Sequence, residues 1–296
     1  MTRAHCTRTC VTFSGGYTVI LPSSEPPRSH WTEHAATWDH FGPPLRPHPL
    51  DMARVQAVCA ARCGDAPRAL LLGVTPEYAL LPWPAATRLT AVDKCADMIA
   101  KVWPAKRLPG SFRAMEGQWT DLPLPDQSVD VAMGDGISTV LPHWSLMDKI
   151  LSELYRVCAP GSTVILRLFV QPDTPDTLEQ LMDDLEVGCI QGFHAFKLRL
   201  LMLLQRDLAS GIQPRQAWQT WHALRRQHAA SIEARRWPVP VMDTIEAYAS
   251  SSDTYWFPKV GEALQAFDRH FAPREIHYSD VELGNRCPIF VLERRA

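Results

Sequence analysis

The sequence predicts a doubly wound α/β fold: a seven-stranded, mostly parallel sheet, an antiparallel C-terminal hairpin and an inserted helical cap. Three observations predict it. Leu70, Leu71 and Leu72 form a continuous apolar run that ends at Gly73, and a second short strand, Leu89 to Val92, closes on Asp93. Strand and helix signals then alternate as far as Val170. Two strand-like runs, Arg274 to Tyr278 and Ile289 to Glu293, close the chain around a loop that holds Gly284 and Asn285.

Taken in order, Met1 to Ser29 shows no clean apolar segment of a leader peptide and reads as a loosely attached arm. From Trp31 the character changes, with aromatics and prolines placed directly before a helix that begins near Leu50. A run such as Leu70–Leu72, apolar at every position, suits a central parallel strand covered on both faces. Gly73 then lets the backbone approach a ligand closely. An acid at the position of Asp93 can accept both hydroxyls of a ribose. A pyrophosphate cradle needs several glycines, whereas Val74, Thr75, Pro76 and Glu77 follow Gly73, so a ligand with a ribose and no phosphate fits better. The plainer alternative is an ordinary strand-to-helix turn.

Ser111 to Met115 is the third strand, followed by Gly117, Gln118 and Trp119; Ser128 to Met133 is the fourth, followed by Asp135 and Gly136. Ser145 to Cys158 places Met147, Ile150, Leu151 and Leu154 on one helical face, with Ser145 and Asp148 spaced as a capping box. Pro160 and Gly161 stop that helix, and Thr163 to Val170 is the fifth strand. Asp173 to Pro240 reads as helical. Leu178, Leu181, Met182 and Leu185 share one face, Phe193, Phe196, Leu200, Leu203 and Leu204 another, and a third helix follows Pro214 with Trp218, Trp221 and Leu224. Tyr248 and the cluster Tyr255-Trp256-Phe257-Pro258 either wall a pocket or fill the cap's own core. The expected division is an arm and lid over 1–48, a core over 49–172, a helical cap over 173–258, and completion of the core over 259–296.

In this order the motifs LGVTPEY, Asp93 with Met98, GQW, LPLPDQSVDVAMGDG and RVCAPGSTVIL resemble a class I S-adenosylmethionine-dependent methyltransferase. The resemblance covers about Arg54 to Val170 and returns in the hairpin, and it implies a Rossmann-like sheet with S-adenosyl-L-methionine as cofactor. By resemblance, Gly73, Val74 and Thr75 lie against the methionine and ribose portion, Asp93 with its neighbour Lys94 meets the ribose, and Met98 covers the adenine. Gly117, Gln118 and Trp119 meet the adenine edge, while Asp135, Gly136 and Ile137 face the methionine portion and the incoming substrate. Trp38, with Trp31 and Phe41, is a lid candidate, and Tyr255 and Trp256 are substrate candidates. Arg46 either binds the cofactor's carboxylate or is a surface arginine held by its flanking prolines.

The first motif carries Val74-Thr75-Pro76-Glu77 where the family usually has further glycines, and Gln118 stands where an acid is common. Gln118 can still accept from an adenine amino group. The altered first motif leaves open a methyltransferase-like protein that binds without turnover; an NAD-type oxidoreductase is the remaining alternative. Where the family's base-modifying members carry a tetrad of Asn or Asp followed by Pro-Pro and an aromatic, this chain has Gly134-Asp135-Gly136-Ile137, which favours a small-molecule acceptor. His143 is the best candidate for a general base, with His194 and His222 next.

Composition fits an ordinary packed enzyme, and 30 basic residues against 32 acidic give a formal charge of -2, which argues against a general nucleic-acid surface while leaving room for a local basic patch. No apolar run reaches the roughly 18 residues of a membrane span, so a membrane role is not expected. Cys6 with Cys10 and Cys59 with Cys63 are each four apart. No such pair completes a metal site, so no metal is expected and the cysteines read as reduced thiols of a cytoplasmic protein. The oligomeric state is not legible.

Overall fold

The structure is a computed structural model that describes residues 10–12, 18–20 and 30–296, the first two segments by their backbone. Strands β1 (Cys10–Thr12) and β2 (Thr18–Ile20) pair antiparallel. The remainder of the expected loose arm before residue 30 lies outside the described residues.

The main sheet comprises β3 (Arg68–Leu72), β4 (Arg88–Asp93), β5 (Phe112–Glu116), β6 (Val129–Asp135), β7 (Cys158–Arg167), β8 (Phe271–His277) and β9 (Ile289–Arg294). Its spatial order is β5-β4-β3-β6-β7-β9-β8. The first five of these strands run parallel, and β9 lies antiparallel to both β7 and β8. This is a Rossmann-like α/β sheet with an antiparallel closing hairpin.

Both faces are covered, and the alternation of side chains along each strand sorts the core into two layers. Leu70, Leu72, Ala132, Val164 and Leu166 pack with Leu151, Leu154 and Phe267 on one side. Ala69, Leu71, Ala91, Val131 and Ile165 pack with Val55, Val58, Tyr78 and Met98 on the other. The helices responsible are α1 (His30–Ala36), α2 (Pro49–Arg62), α3 (Pro76–Ala79), α4 (Ala96–Val102) and α5 (Leu146–Val157), with a last one, Val260–Phe267, before the hairpin. Helix α2 starts one residue before the expected Leu50, because the His48 ring accepts from the Leu50 N–H and the Asp51 carboxylate accepts from the His48 N–H.

Two sequence expectations are corrected here. Ser145 and Asp148 form no capping box: the Ser145 N–H and hydroxyl lie 3.1 and 2.8 Å from His143 Nδ1, which occupies the serine instead. The fifth core strand spans Cys158–Arg167 rather than Thr163–Val170. Its pairing with β9 stops at Arg167 opposite Ile289, where Pro288 has no N–H to extend the ladder.

Between β7 and the last helix lie α6 (Leu178–Glu186), α7 (Phe193–Leu204), α8 (Pro214–Gln227), α9 (Ala229–Glu233) and α10 (Val239–Met242), followed by α11 (Val260–Phe267). Helices α6 to α10 share a separate core that includes Leu181, Leu185, Phe196, Trp221, Leu224 and, from the segment after α10, Ile245, whereas α11 packs in the sheet core through Ala263 and Phe267. Helix α7 is buried on nearly all sides from Phe193 to Met202, so the single apolar face expected for it does not exist. Its polar residues are accommodated individually: Arg199 pairs with Asp176 and Asp184, and Lys197 donates to Thr244. The cysteines at 59, 63, 95, 158, 189 and 287 are free thiols. Among the described residues no helix is long and apolar enough to cross a membrane.

Candidate functional site

A cavity opens at the carboxyl ends of β3, β4, β5 and β6, the edge at which ligands bind in open α/β sheets. Its space totals about 1380 Å³ with the open mouth included. At one end it is lined by Gly73, Val74, Thr75, Asp93, Lys94, Met98, Gly117, Gln118 and Trp119, with Asp135 and Gly136 beside them.

Gly73 has φ +93°, which side-chain-bearing residues rarely adopt, and its N–H donates to the Val92 carbonyl. A Cβ there would lie 3.7 Å from both Asp93 Oδ2 and Trp119 Cζ2, so glycine, acid and indole surround one point. Asp93 Oδ1 accepts from the Cys95 N–H at 2.8 Å, which holds the carboxylate at the strand end. Burial raises the Asp93 pKa, the Cys95 N–H and Lys94 opposing it. Trp119 is fixed by its Nε1–H donating to the Val92 carbonyl at 2.7 Å. Gly117 is needed for packing, since a Cβ would meet Val92 Cγ1 at 2.9 Å.

Asp135 is buried and ion-paired to Arg167 at 2.6 Å, and Arg167 also lies 3.2 Å from Asp51. Burial pushes the Asp135 carboxyl up to about 6 against the pull of that guanidinium. Asp51 in turn accepts from the Ser279 hydroxyl, so the hairpin loop, α2 and the end of β6 meet at one buried charge cluster. Gly136, at φ +59°, turns the chain closely over Phe169, which its Cβ would meet at 2.8 Å.

The other end of the cavity is aromatic and apolar, with Trp31, Trp38, Phe41, Phe169, Tyr248, Tyr255 and Phe257, together with Leu198 and Leu201 of α7. His34 also lines it, and burial holds its pKa well below the ordinary value. Burial likewise pushes the Tyr248 phenol up to about 12.

Several expected site residues are placed elsewhere. His143 is exposed, bonded to Ser145 and outside the cavity lining, because Trp256 stands edge-on against its ring at 5.2 Å. Trp256 is itself buried in the sheet core with its Nε1–H donating to the Leu141 carbonyl, and only its neighbours Tyr255 and Phe257 line the cavity. Ile137 is buried in the same core. Arg46 is neither a free surface arginine nor a cavity residue: it pairs with Glu77 at 2.6 Å and lies over the Trp38 ring. His194 is buried against the His40 carbonyl, and His222 pairs with Glu246 away from the cavity.

Of the two side chains that replace glycines of the first motif, Glu77 is turned to Arg46 and does not line the cavity, whereas Thr75 does. Sequence reasoning missed His30, His34 and Lys197, which lie more than 200 residues, or one buried helix, away from the tyrosines they accompany. Only the aromatic content near Trp31 hinted at this.

Residues 71–166 match the family model described as "Methyltransferase domain", which spans β3 to β7 and therefore every strand that edges the cavity. Residues 71–166 of the chain thus carry a methyltransferase domain. No curated protein matches the sequence. Among solved structures, a Haloferax volcanii protein assigned as a methyltransferase, in complex with the Trm112 methyltransferase activator, is similar at 13% identity with a TM-score of 0.53, covering 90% of this chain and 98% of that one. A Pyrococcus horikoshii protein is similar at 12% identity and a TM-score of 0.52, covering 88% and 98%. A Rhodobacter sphaeroides protein assigned as a zinc-dependent alcohol dehydrogenase gives the same identity, TM-score and coverages. Likeness at this level establishes the fold alone. Among the described residues of this methyltransferase no group of three or more His, Cys, Asp or Glu is placed to hold a metal ion.

Proposed function

We propose that this methyltransferase holds S-adenosylmethionine at the Gly73–Asp93 end of the cavity and a small-molecule acceptor at the aromatic end, and transfers the methyl group directly between them. The observation that carries this reading is one continuous cavity whose two ends differ in chemistry.

The residues present fit the cofactor. Gly73 offers bare backbone, Asp93 keeps Oδ2 for ribose hydroxyls beyond the Cys95 bond, and Met98 and Trp119 supply apolar surface for an adenine. Pro76 at the start of α3 lacks an N–H, so this turn is poorly suited to a pyrophosphate, which argues against an NAD-type oxidoreductase. The enclosed acceptor end suits a small apolar molecule better than a nucleic acid or protein segment.

S-adenosylmethionine supplies a methyl group on a positively charged sulfur, from which a nucleophile displaces it in line. The chain's contribution is then orientation and exclusion of water. Gly73 and Asp93 fix one reactant, and Phe41, Phe169, Leu198 and Leu201 close around the other.

The substitution Asp93→Ala tests the placement. Loss of charge-assisted ribose bonds weakens S-adenosylhomocysteine binding by about 1 to 3 kcal/mol, measured by calorimetry. Unchanged affinity in a folded variant removes Asp93 from the site.

A further inference from the structure

At the aromatic end of the cavity three side chains form a line that methyl-donor binding does not use. Tyr255 lines the cavity, and its hydroxyl lies 2.7 Å from His30 Nε2. His30 Nδ1 lies 2.7 Å from Asp253 Oδ2 and 3.0 Å from Ser251 Oγ. The carboxylate accepts only, so Nδ1 carries the proton and donates to Asp253. Nε2 is then the bare nitrogen, and the Tyr255 hydroxyl donates to it. His30 is fully buried, whereas the Asp253 side chain is 40% exposed, so the line runs from the cavity to solvent.

The line is held from several sides. Tyr255 exchanges both backbone hydrogen bonds with Ile212, the Phe257 N–H donates to Gln205, and Trp256 is tied to Leu141. Tyr248 stands perpendicular to Tyr255 with ring centroids 5.8 Å apart. The other titratable groups facing His30 and Asp253 are His34, whose ring is 4.9 Å from that of His30, and Lys94, whose charge favours the Asp253 carboxylate.

We propose that Tyr255 is the proton acceptor for methyl transfer, relayed through His30 and Asp253, and that the acceptor is a neutral phenol or similarly acidic hydroxyl on an apolar ring. This rests on the two-ended reading of the cavity. As the acceptor oxygen forms its bond to the methyl carbon and the carbon–sulfur bond breaks, the hydroxyl proton passes to the Tyr255 oxygen. Tyr255 passes its own proton to His30 Nε2, and the resulting imidazolium is paired with Asp253. The proton then leaves to water past the exposed carboxylate, and S-adenosylhomocysteine and the methyl ether remain.

The chemistry of the relay selects the acceptor class. A carboxylate arrives without a proton and needs no base, and an amine sheds its proton to water after transfer. A phenol is uncharged at neutral pH and must lose its proton as the ether forms, which a relay through Tyr255 to the His30 imidazole provides; burial holds the Tyr255 phenol well above its ordinary value, so it hands a proton on only as it takes one up. The apolar wall of Phe41, Phe169, Leu198, Leu201 and Phe257 favours an uncharged ring in that place.

The test uses the full chain and S-adenosylmethionine labelled in its methyl group. The acceptors are 2-naphthol and 4-nitrophenol, with 2-naphthylamine and 2-naphthoic acid as the other classes, and S-adenosylhomocysteine affinity is measured alongside. Label is expected in the methyl ethers of the phenols. Tyr255→Phe is expected to lower kcat for 2-naphthol at pH 7 by about 10²- to 10⁴-fold with product affinity unchanged. For 4-nitrophenol, already ionised at pH 9, the loss falls below about tenfold because no proton remains to be taken. His30→Gln, which still accepts the Tyr255 hydrogen bond but takes no proton, shows the same contrast. Equal losses on both phenols, no loss, transfer only to the amine or acid, or no transfer to either phenol by protein that binds the cofactor overturns the proposal. Absence of S-adenosylhomocysteine binding by the unaltered chain marks failure of the cofactor reading instead.

Discussion

Lys197 allows a prediction that depends on nothing but the structure. It is completely buried on α7, its ammonium donates to the Thr244 hydroxyl at 2.8 Å, and the rings of Phe41 and Tyr248 lie 4.8 and 5.3 Å away. No carboxylate compensates it among the described residues, and burial pushes its pKa from 10.5 down to about 7. The unfolded chain therefore holds this proton up to about pH 10, whereas the folded chain loses it near 7. Between those values the unfolded state binds more protons, so stability rises with pH; below 7 both states are protonated and the full cost remains. At about 1.4 kcal/mol per unit, that cost is about 4 to 5 kcal/mol. Lys197→Met keeps the bulk but forfeits the cation–π contacts, worth about 0.5 to 2 kcal/mol. Urea unfolding at pH 6 is expected to show the variant more stable than the parent by about 2 to 4 kcal/mol. The gap closes as pH approaches 10. A difference between the two proteins that does not change from pH 6 to 9 refutes the reasoning, because it means the amine is not held away from its ordinary ionisation.

Two further substitutions probe the Gly73 end of the cavity and the charge cluster beside it. Gly73→Ala imposes a side chain on φ +93° at a cost of about 1 to 3 kcal/mol. Because its methyl group faces Asp93 and Trp119, S-adenosylhomocysteine affinity measured by calorimetry falls at least as much as it does for Asp93→Ala. Arg167→Met leaves Asp135 and Asp51 buried without their partner and costs about 3 to 5 kcal/mol in chemical denaturation. Part of that loss is recovered as the pH is lowered: with the guanidinium that pulls it down removed, the Asp135 carboxyl stands higher than the value of about 6 it has beside Arg167, and it takes up its proton in the variant before the parent does.

The sheet was legible because its physics is local. Leu70–Leu72 and Val129–Met133 are apolar at nearly every position, and such runs exclude a half-exposed strand. That Gly73, Asp93 and Gly117 gather at one end of the cavity was legible for the same reason, since each sits at the end of a strand that the pattern marks. The aromatic end was not, because it is assembled from segments far apart in the chain. Nothing in Tyr255 indicates that His30 lies against it, nor does the pattern of α7 reveal that a lysine is buried among rings. Nearness in sequence to a strand end misled in the case of His143, whose ring is taken up by Ser145 and Trp256. Arg46 was missed in both of its expected roles because its partner, Glu77, is set by the short helix after Gly73.

The central claim is that the Gly73–Asp93 corner takes a ribose ligand without phosphate. Titration calorimetry with S-adenosylhomocysteine, with NAD as the control, tests it most directly. The account predicts one site per chain for S-adenosylhomocysteine, weakened by Asp93→Ala, and no saturable heat with NAD. Binding of NAD without binding of S-adenosylhomocysteine or S-adenosylmethionine contradicts it.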